Sequence, residues 1–512
     1  MKNIIETFQK HVRQTPHKNA IIFEDYTYTY RQVEENIKQL SIYLESLNIQ
    51  EGSHLILLLN NSYEYLLCML SLANLGAVLI PLNTTLKIEV LNKAIASTDA
   101  TYILTDTSLK NKLIDTQSCS INSANILALE CDLNAIDTSG YLLNKANISA
   151  DNDYILTMTS GSTGDPKPIV FTQKTKINRS LLAAKDLYEL KSDEVVITAS
   201  PLYHSLGQRL LLLPLLIGGT SVLLRKFTPK FWIEAVKKNR VTFTIAIASH
   251  LEVLVEQIKE SSDLDSLRTI VSSSSLLKVE TKKRCIEKFN CDFHECYGAS
   301  EVGILTNLTP DDSKRCISSV GKALAFVDLK IVDENKNEVQ NGTIGEIISK
   351  TPTAFSRYYK NEKKTKQSTI DGYFYTGDLG YLDENGYLYL SGRKKDIIIV
   401  GGVNVYPLDI ENVISEVKGV QECSVIGVDD SYFGEAILAV LSVDEAHFNL
   451  KDVKVTCIKR LADYQVPMAF ELVDELPKNS LGKIMKHELR AMFKNYDATA
   501  LLRKVMRVEK EE

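Results

Sequence analysis

Val33, Ile37, Leu40, Leu44 and Leu47 recur at spacings of four and three, the period of one helical face. Thr29 with Gln32 three positions on is a capping-box signature. The pair predicts an amphipathic helix that Gly52 stops. His54 to Leu59 then reads as a buried strand, Tyr63 to Leu75 as a helix and Ala77 to Leu82 as the next strand, an order typical of βαβ units. Residues 84 to 106 repeat it, with a helix over Ile88 to Ala96 and a strand over Thr101 to Leu104, while 110 to 150 carries no regular period. Asn74 and Gly76 interrupt the longest apolar stretch, Leu66 to Leu82, so no membrane span is expected.

Strand character returns at Tyr154 to Met158, followed by a helix over Lys174 to Tyr188, a strand over Val195 to Ala199 and an apolar segment over Leu210 to Ile217. Val241 to Ile247 (strand), Leu251 to Ile258 (helix) and Thr269 to Ser272 (strand) continue the alternation. From Lys322 the texture becomes β-rich, with short strands over Val327 to Val332 and Ile344 to Ser349. At Asp383 to Gly386 a hairpin turn joins Gly380-Tyr381-Leu382 to Tyr387 through Leu390, and Gly392-Arg393-Lys394-Lys395-Asp396 follows as the best boundary. The expected fold class is α/β: a large N-terminal domain of α/β layers with a β-rich subdomain (1–392), then a small C-terminal α/β domain (397–512) whose charged end, Arg507 to Glu512, frays. No internal repeat is present.

An apolar fraction of 44% and a charged fraction of 24% suit an ordinary soluble protein of more than one domain. Lys and Arg number 59 against 65 Asp and Glu, which leaves no basic footprint for nucleic acid, so an anionic ligand must be held by local charges. The nine cysteines form no Cys-x-x-Cys pair and fit free thiols in a reducing cytosol. Cys291 and Cys296 flank His294 without a second spaced pair, so no cysteine-held metal is expected. The N-terminus acquires Glu6 too early to resemble a signal peptide.

Against this background Thr159-Ser160-Gly161-Ser162-Thr163-Gly164-Asp165-Pro166-Lys167 stands out. Glycines let a backbone approach a ligand, hydroxyls and amides donate hydrogen bonds, and Lys167 adds a positive charge; the combination suits a polyphosphate. It is not a Walker loop, because Asp165 and Pro166 separate Gly164 from the lysine, and a Gly/Ser-rich surface turn is the competing reading. Tyr297-Gly298-Ala299-Ser300-Glu301 offers an aromatic face for a base and a carboxylate for Mg²⁺. Tyr375-Thr376-Gly377-Asp378 sets a carboxylate where ribose hydroxyls can donate to it, or makes an ordinary Asx turn. Lys483 follows a glycine in the late loop Leu476-Pro477-Lys478-Asn479-Ser480-Leu481-Gly482, a position that in isolation reads as solvated surface.

Together and in this order, these four strings resemble the adenylate-forming superfamily of acyl- and aryl-CoA synthetases, firefly luciferase and nonribosomal adenylation domains, from about Ile4 to Arg490. The resemblance implies that a carboxylate attacks the α-phosphate of MgATP and that a thiol, CoA, then displaces AMP. It implies that Thr159, Ser160, Gly161, Ser162, Thr163, Gly164 and Lys167 hold the β and γ phosphates, and that Tyr297 stacks on adenine beside Gly298. Ser300 would touch phosphate, Glu301 with Thr163 would serve Mg²⁺, and Asp378 and Arg393 would bind ribose. Lys483 matches the lysine bridging carboxylate and α-phosphate, and Lys395 the pivot within a 393–396 hinge that makes the C-terminal domain mobile. Gly401-Gly402 opens a loop resembling the one CoA ligases swing towards the thiol tunnel, and His204 matches an aromatic gate near the acyl group, with a packed core histidine as the alternative.

Residues 203 to 217 contain no acid to receive an α-ammonium, which disfavours an amino acid. Gln208 and Arg209 meet either a polar end group or solvent. Pro168 stands where the family usually has glycine, and Ser272-Ser273-Ser274-Ser275 replaces a glycine-rich stretch. The leading expectation is a cytoplasmic acid:CoA ligase. The rivals are adenylation followed by loading of a carrier protein's phosphopantetheine, and a degenerate nucleotide-binding member without turnover.

Overall fold

The stripe after Thr29 folds as the helix Tyr30–Ser46, burying Val33, Ile37, Leu40 and Leu44. Its capping box closes from both sides: the Thr29 hydroxyl accepts from Gln32 N at 3.3 Å, and Gln32 Oε1 accepts from Thr29 N at 2.8 Å. The helix stops ahead of Gly52 because Asn48 takes the left-handed turn (φ 60°) and Ile49 N returns to Leu44 O. Asn thus does what the sequence assigns to glycine. The next helix, Tyr63–Leu75, buries every residue except Glu64 and ends at Gly76 (φ 68°). No described helix is long and apolar enough to cross a membrane.

The computed structural model describes residues 2–116, 118–129, 135–144, 146–160, 166–258, 261–430, 432–479 and 482–498. They form two units, Met1–Ile317 with Leu324–Asp328 and Lys350–Phe374, and Ser318–Ala323 with Leu329–Ser349 and Tyr375–Glu512. In the first unit one sheet orders Gly303–Leu308, Asp292–Ala299, Thr269–Ser273, Phe243–Ile247, Val195–Thr198, Thr220–Leu223, Asn19–Phe23 and Tyr26–Thr29, parallel except for its two outermost pairs. The other orders Arg357–Tyr358, Pro166–Thr172, Asp153–Ser160, Val78–Pro81, His54–Leu58, Tyr102–Thr105 and Ile126–Ala128.

Helix Gln173–Asp186 packs on the second sheet, helix Ser205–Ile217 on the first, and the two pack on each other. Their shared face lies between the sheets. The apolar segment after His204 is thus a helix whose period is hidden because it is buried nearly all round. In the irregular region, helix Thr107–Asp115 buries only Leu113, which leaves no stripe to read.

In the second unit Asp328–Val332, Gly345–Lys350, Tyr373–Leu382 and Leu388–Arg393 form one sheet, the last two joined by the expected hairpin at Asp383–Gly386. Strand Gly434–Val443 pairs along one edge with Val420–Asp430 and along the other with Ile398–Val400 and Ala469–Leu472. Helices Pro407–Ser415 and Leu450–Arg460 bury Ile410, Ile414, Val453 and Cys457 in the core of this sheet. The α/β class with a smaller C-terminal part is the observed one, and the charged end at 507–512 lies outside the described residues.

Candidate active site

Strands Asp153–Ser160 and Pro166–Thr172 are antiparallel partners in register Thr159↔Lys167, so the phosphate-loop string is a hairpin connection on a buried strand pair. Thr159 and Ser160 end one strand and Lys167 is the second residue of the other, while Gly161, Ser162, Thr163 and Gly164 lie outside the described residues. Pro168 sits in the second strand opposite Met158 and accepts from Tyr359 N at 3.0 Å, but has no N–H to return a bond.

Tyr297 is buried near the end of strand Asp292–Ala299, and Ser300 is exposed on the turn beyond. Gly298 is needed there by close approach: a Cβ would stand 1.9 Å from the carbonyl oxygen of Gly303 on the neighbouring strand. Gly298→Ala is expected to destabilise the larger unit by about 1–3 kcal/mol, since backbone must yield. Denaturant titration followed by nucleotide-analogue binding checks it.

Glu301 is strapped on three sides. Its carbonyl accepts from Arg179 Nη2 (2.9 Å) and Phe355 N (2.6 Å), and its carboxylate accepts from the Tyr358 hydroxyl (3.0 Å). Lys364 lies over the Tyr358 ring at 4.6 Å and within hydrogen-bonding reach of Lys167. Burial, then Lys167, brings its ammonium down to about 8, with Glu301 opposing. Two ammonium groups this close repel, and an anion lying between them would relieve both.

In the second unit Asp378 and Arg393 are cross-strand partners with Nε to Oδ1 at 2.9 Å. Thr376-Gly377-Asp378 lies within strand Tyr373–Leu382 and not on a turn; the Thr376 hydroxyl accepts from Asp378 N at 3.0 Å, and Gly377 takes φ 71°. Lys395 lies in the short 3-10 turn Lys394–Asp396, and Arg490 holds Asp396 at 2.8 Å. Asn479 cradles the lysine loop: its Oδ1 accepts from Lys483 N (3.0 Å), and its N–H reaches Lys483 O (2.9 Å).

The Lys483 ammonium retains a solvent-facing side, yet is brought down to about 8 by desolvation and then Arg393, with Asp378 and Asp396 opposing. It therefore lies within electrostatic reach of the Asp378–Arg393 pair. Gly401 and Gly402, at φ 57° and 86°, make the tight turn between strands Ile398–Val400 and Val403–Val405.

His204 stands at the N-cap position of helix Ser205–Ile217, tilted against Tyr203 with ring centroids 4.4 Å apart. Desolvation pushes its imidazole down to about 4, so it is neutral near pH 7.

A family model for AMP-binding enzymes matches residues 8–359, and one for the AMP-binding enzyme C-terminal domain matches 409–483. The chain belongs to the AMP-binding, adenylate-forming enzymes. It is similar to the indoleacetate–CoA ligase of Aromatoleum aromaticum, at 28% identity over 95% of this chain and 97% of the relative. Among solved structures it resembles ATP-bound MatB from Rhodopseudomonas palustris (TM-score 0.87, 27% identity, 96% and 99% covered). It also resembles the o-succinylbenzoate CoA synthetase of Bacillus subtilis in complex with its acyl-adenylate intermediate (TM-score 0.84, 26%, 94% and 97%).

Within this adenylate-forming enzyme the serine-rich departure has a backbone consequence. Ser274 occupies the left-handed region at φ 75°, where a glycine carries no penalty and serine costs about 1 kcal/mol or more. Ser272, at the same departure, is fully buried with no hydrogen-bond partner for its hydroxyl among the described residues.

Arg179 and Lys364 escape a motif search. Lys364 hides in the run Lys363-Lys364-Thr365-Lys366, where sequence offers no way to single out one lysine. Arg179 did leave a signal: in helix Gln173–Asp186 the buried stripe contains Lys176 and Arg179 beside Ile177 and Ala183, cations where apolar residues belong.

Proposed function

We propose that the protein is an AMP-forming acid:CoA ligase. The observation that carries this reading is Lys483, held with a depressed pKa in electrostatic reach of Asp378 and Arg393. A nucleotide binder without turnover has no use for a cation held there. The relatives' names, an indoleacetate–CoA ligase among them, support the choice of CoA as acceptor.

In the first half-reaction a carboxylate oxygen attacks the α-phosphorus of ATP, the bond from that phosphorus to the α–β bridging oxygen breaks, and pyrophosphate leaves. Lys483 would neutralise the charge shared by carboxylate and α-phosphate, with Asp378 and Arg393 on the ribose and Tyr297 against adenine. Thr159 to Gly164 and Lys167 would hold the β and γ phosphates, with Ser300 nearby. Glu301 fits a Mg²⁺ site, since its carboxylate, steadied by Tyr358, together with Thr163 and the phosphates, supplies the oxygen ligands that ion takes. The ion would neutralise the β and γ phosphates.

In the second half-reaction the CoA sulfur attacks the acyl carbon, the acyl–oxygen bond to AMP breaks, and the thiol proton goes to solvent. For this step the C-terminal domain from residue 397 would turn about Lys395, within hinge 393–396, and bring Gly401-Gly402 towards the pantetheine arm. Neutral His204 would close the acyl end without adding charge. The eight described cysteines are free, which suits a reducing compartment such as the cytoplasm.

Acid-dependent exchange of labelled pyrophosphate into ATP, run over a panel of carboxylic acids with and without CoA, tests the reading. Exchange with acyl-CoA product supports it. Exchange without that product moves the acceptor to a carrier protein, and no exchange with any acid removes catalysis altogether.

Lys364 joins the phosphate group on the same reading. Lys364→Gln is expected to raise KM for ATP about 10-fold and weaken inhibition by pyrophosphate similarly, because one charge-assisted bond to phosphate is lost. Initial-rate kinetics at saturating acid check it.

A further inference from the structure

The shared face of helices Gln173–Asp186 and Ser205–Ile217 holds more positive charge than the protein neutralises. Lys176 is 2% exposed, Arg179 7% and Gln208 0%. Lys176 donates to Gln208 Oε1 at 2.5 Å, and Arg179 donates to Thr353 O and Glu301 O, with Ser205 Oγ at 3.4 Å. Both cations lie over the Phe171 ring, at 4.6 and 4.3 Å. Among the described residues no carboxylate side chain forms an ion pair with Lys176, Arg179 or Arg209.

Arg209 is the unsatisfied member. Its Nε and Nη2 are both buried and neither has a hydrogen-bond partner among the described residues, as is true of the neighbouring Gln208 Nε2. The guanidinium also lies within reach of the Tyr188 hydroxyl, which meets Cys296 Sγ at 3.0 Å, the residue before Tyr297. Arg209 also lies close enough to Arg179 to help lower that group to about 9, after burial itself. A buried donor left without an acceptor loses its hydration with nothing in return. Nε and Nη2 form one edge of the guanidinium fork, the edge that accepts a carboxylate in a bidentate pair.

We propose that the acid activated here carries a second carboxylate, and that Arg209 grips it by its Nε–Nη2 edge. This rests on the acid:CoA ligase reading and names its substrate class: a dicarboxylic acid, aliphatic or aromatic, rather than a plain fatty or aryl acid. Arg209 lies five residues beyond His204 on helix Ser205–Ile217 and within electrostatic reach of Cys296 on strand Asp292–Ala299, the residue before Tyr297. Binding a dianion adds negative charge beside Arg209 and Arg179, where burial and then Arg179 press the Lys176 ammonium well below its ordinary range.

The test is pyrophosphate exchange with matched acids of equal chain length, hexanoate against adipate and benzoate against a carboxyalkyl benzoate, in the wild type, Arg209→Met and Arg209→Lys. The expected result is a kcat/KM at least 10-fold higher for the diacid in the wild type. Arg209→Met should lower diacid kcat/KM about 100-fold and leave or raise that for the monoacid, with Arg209→Lys between, since it keeps the charge but not the fork. A wild type that prefers monoacids, or a diacid preference that survives Arg209→Met in a folded protein, overturns the inference while leaving the ligase reading intact. If no acid supports exchange, the ligase reading fails. Calorimetric titration with the same diacids then decides separately: binding lost in Arg209→Met retains the anion site, and no binding to the wild type ends it.

Discussion

Lys483→Ala is expected to slow acyl-adenylate formation about 100- to 1000-fold while sparing thioester formation from supplied acyl-adenylate, the loss typical of removing one preorganised charge donor. The asymmetry follows from geometry. Lys483 lies in a loop fixed by Asn479 and in reach of Asp378 and Arg393, the ribose end of the proposed nucleotide site. Its charge matters while negative charge builds on the α-phosphate, and thiolysis of a finished adenylate makes no such demand. Single-turnover assays of the two half-reactions check it, and equal losses in both would count against a C-terminal domain that moves between them.

The same ammonium should appear in the pH profile. A lysine lowered to about 8 is charged below that pH and neutral above it, so kcat/KM for ATP in the adenylation step should fall as pH rises through about 8. Bound phosphate favours the charged form, so the fall in kcat should come later than the fall in kcat/KM. His204, lowered to about 4, does not titrate in this window and contributes no limb near neutrality.

Much of the architecture was legible because it rests on local rules. Thr29 with Gln32 and the stripe through Leu44 announce their helix, since cap and period agree; Asp383 to Gly386 announces its hairpin, since Asp383 Oδ1 accepts from both Asn385 N and Tyr387 N. Where burial is nearly complete, as along Leu210 to Leu216, no polar face marks the helix and only an apolar run is visible. The proposed nucleotide groups were legible for another reason: Tyr297 to Glu301 and Tyr375 to Asp378 are contiguous strings, the first running off a strand end and the second lying within a strand. Lys364 and Arg179 belong to no string. Folding brings them to Glu301 from 63 positions downstream and 122 upstream, respectively.

Arg179→Met is the sharpest test of that second group, because stability and activity should separate. The guanidinium is an expensive tenant: burial and then Arg209 lower it to about 9, so removing it relieves a buried charge. Against that, Thr353 O loses its 2.8 Å donor, a cost of about 1–3 kcal/mol, while Glu301 O keeps Phe355 N. The two effects oppose, and the unfolding midpoint should move little. Activity should fall about 10- to 100-fold, because the Glu301 turn is no longer tied to the helix and its carboxylate drifts from the position Tyr358 favours. Arg179 is thus a positioning residue, and the readout that separates it from a merely structural one is Mg²⁺ dependence. Half-maximal adenylation should need several-fold more Mg²⁺ in Arg179→Met, and Arg179→Lys should not rescue it, since a point charge cannot span Thr353 O and Glu301 O as a planar fork does. An unchanged Mg²⁺ requirement with lost stability would make Arg179 a scaffold for the loop and nothing more.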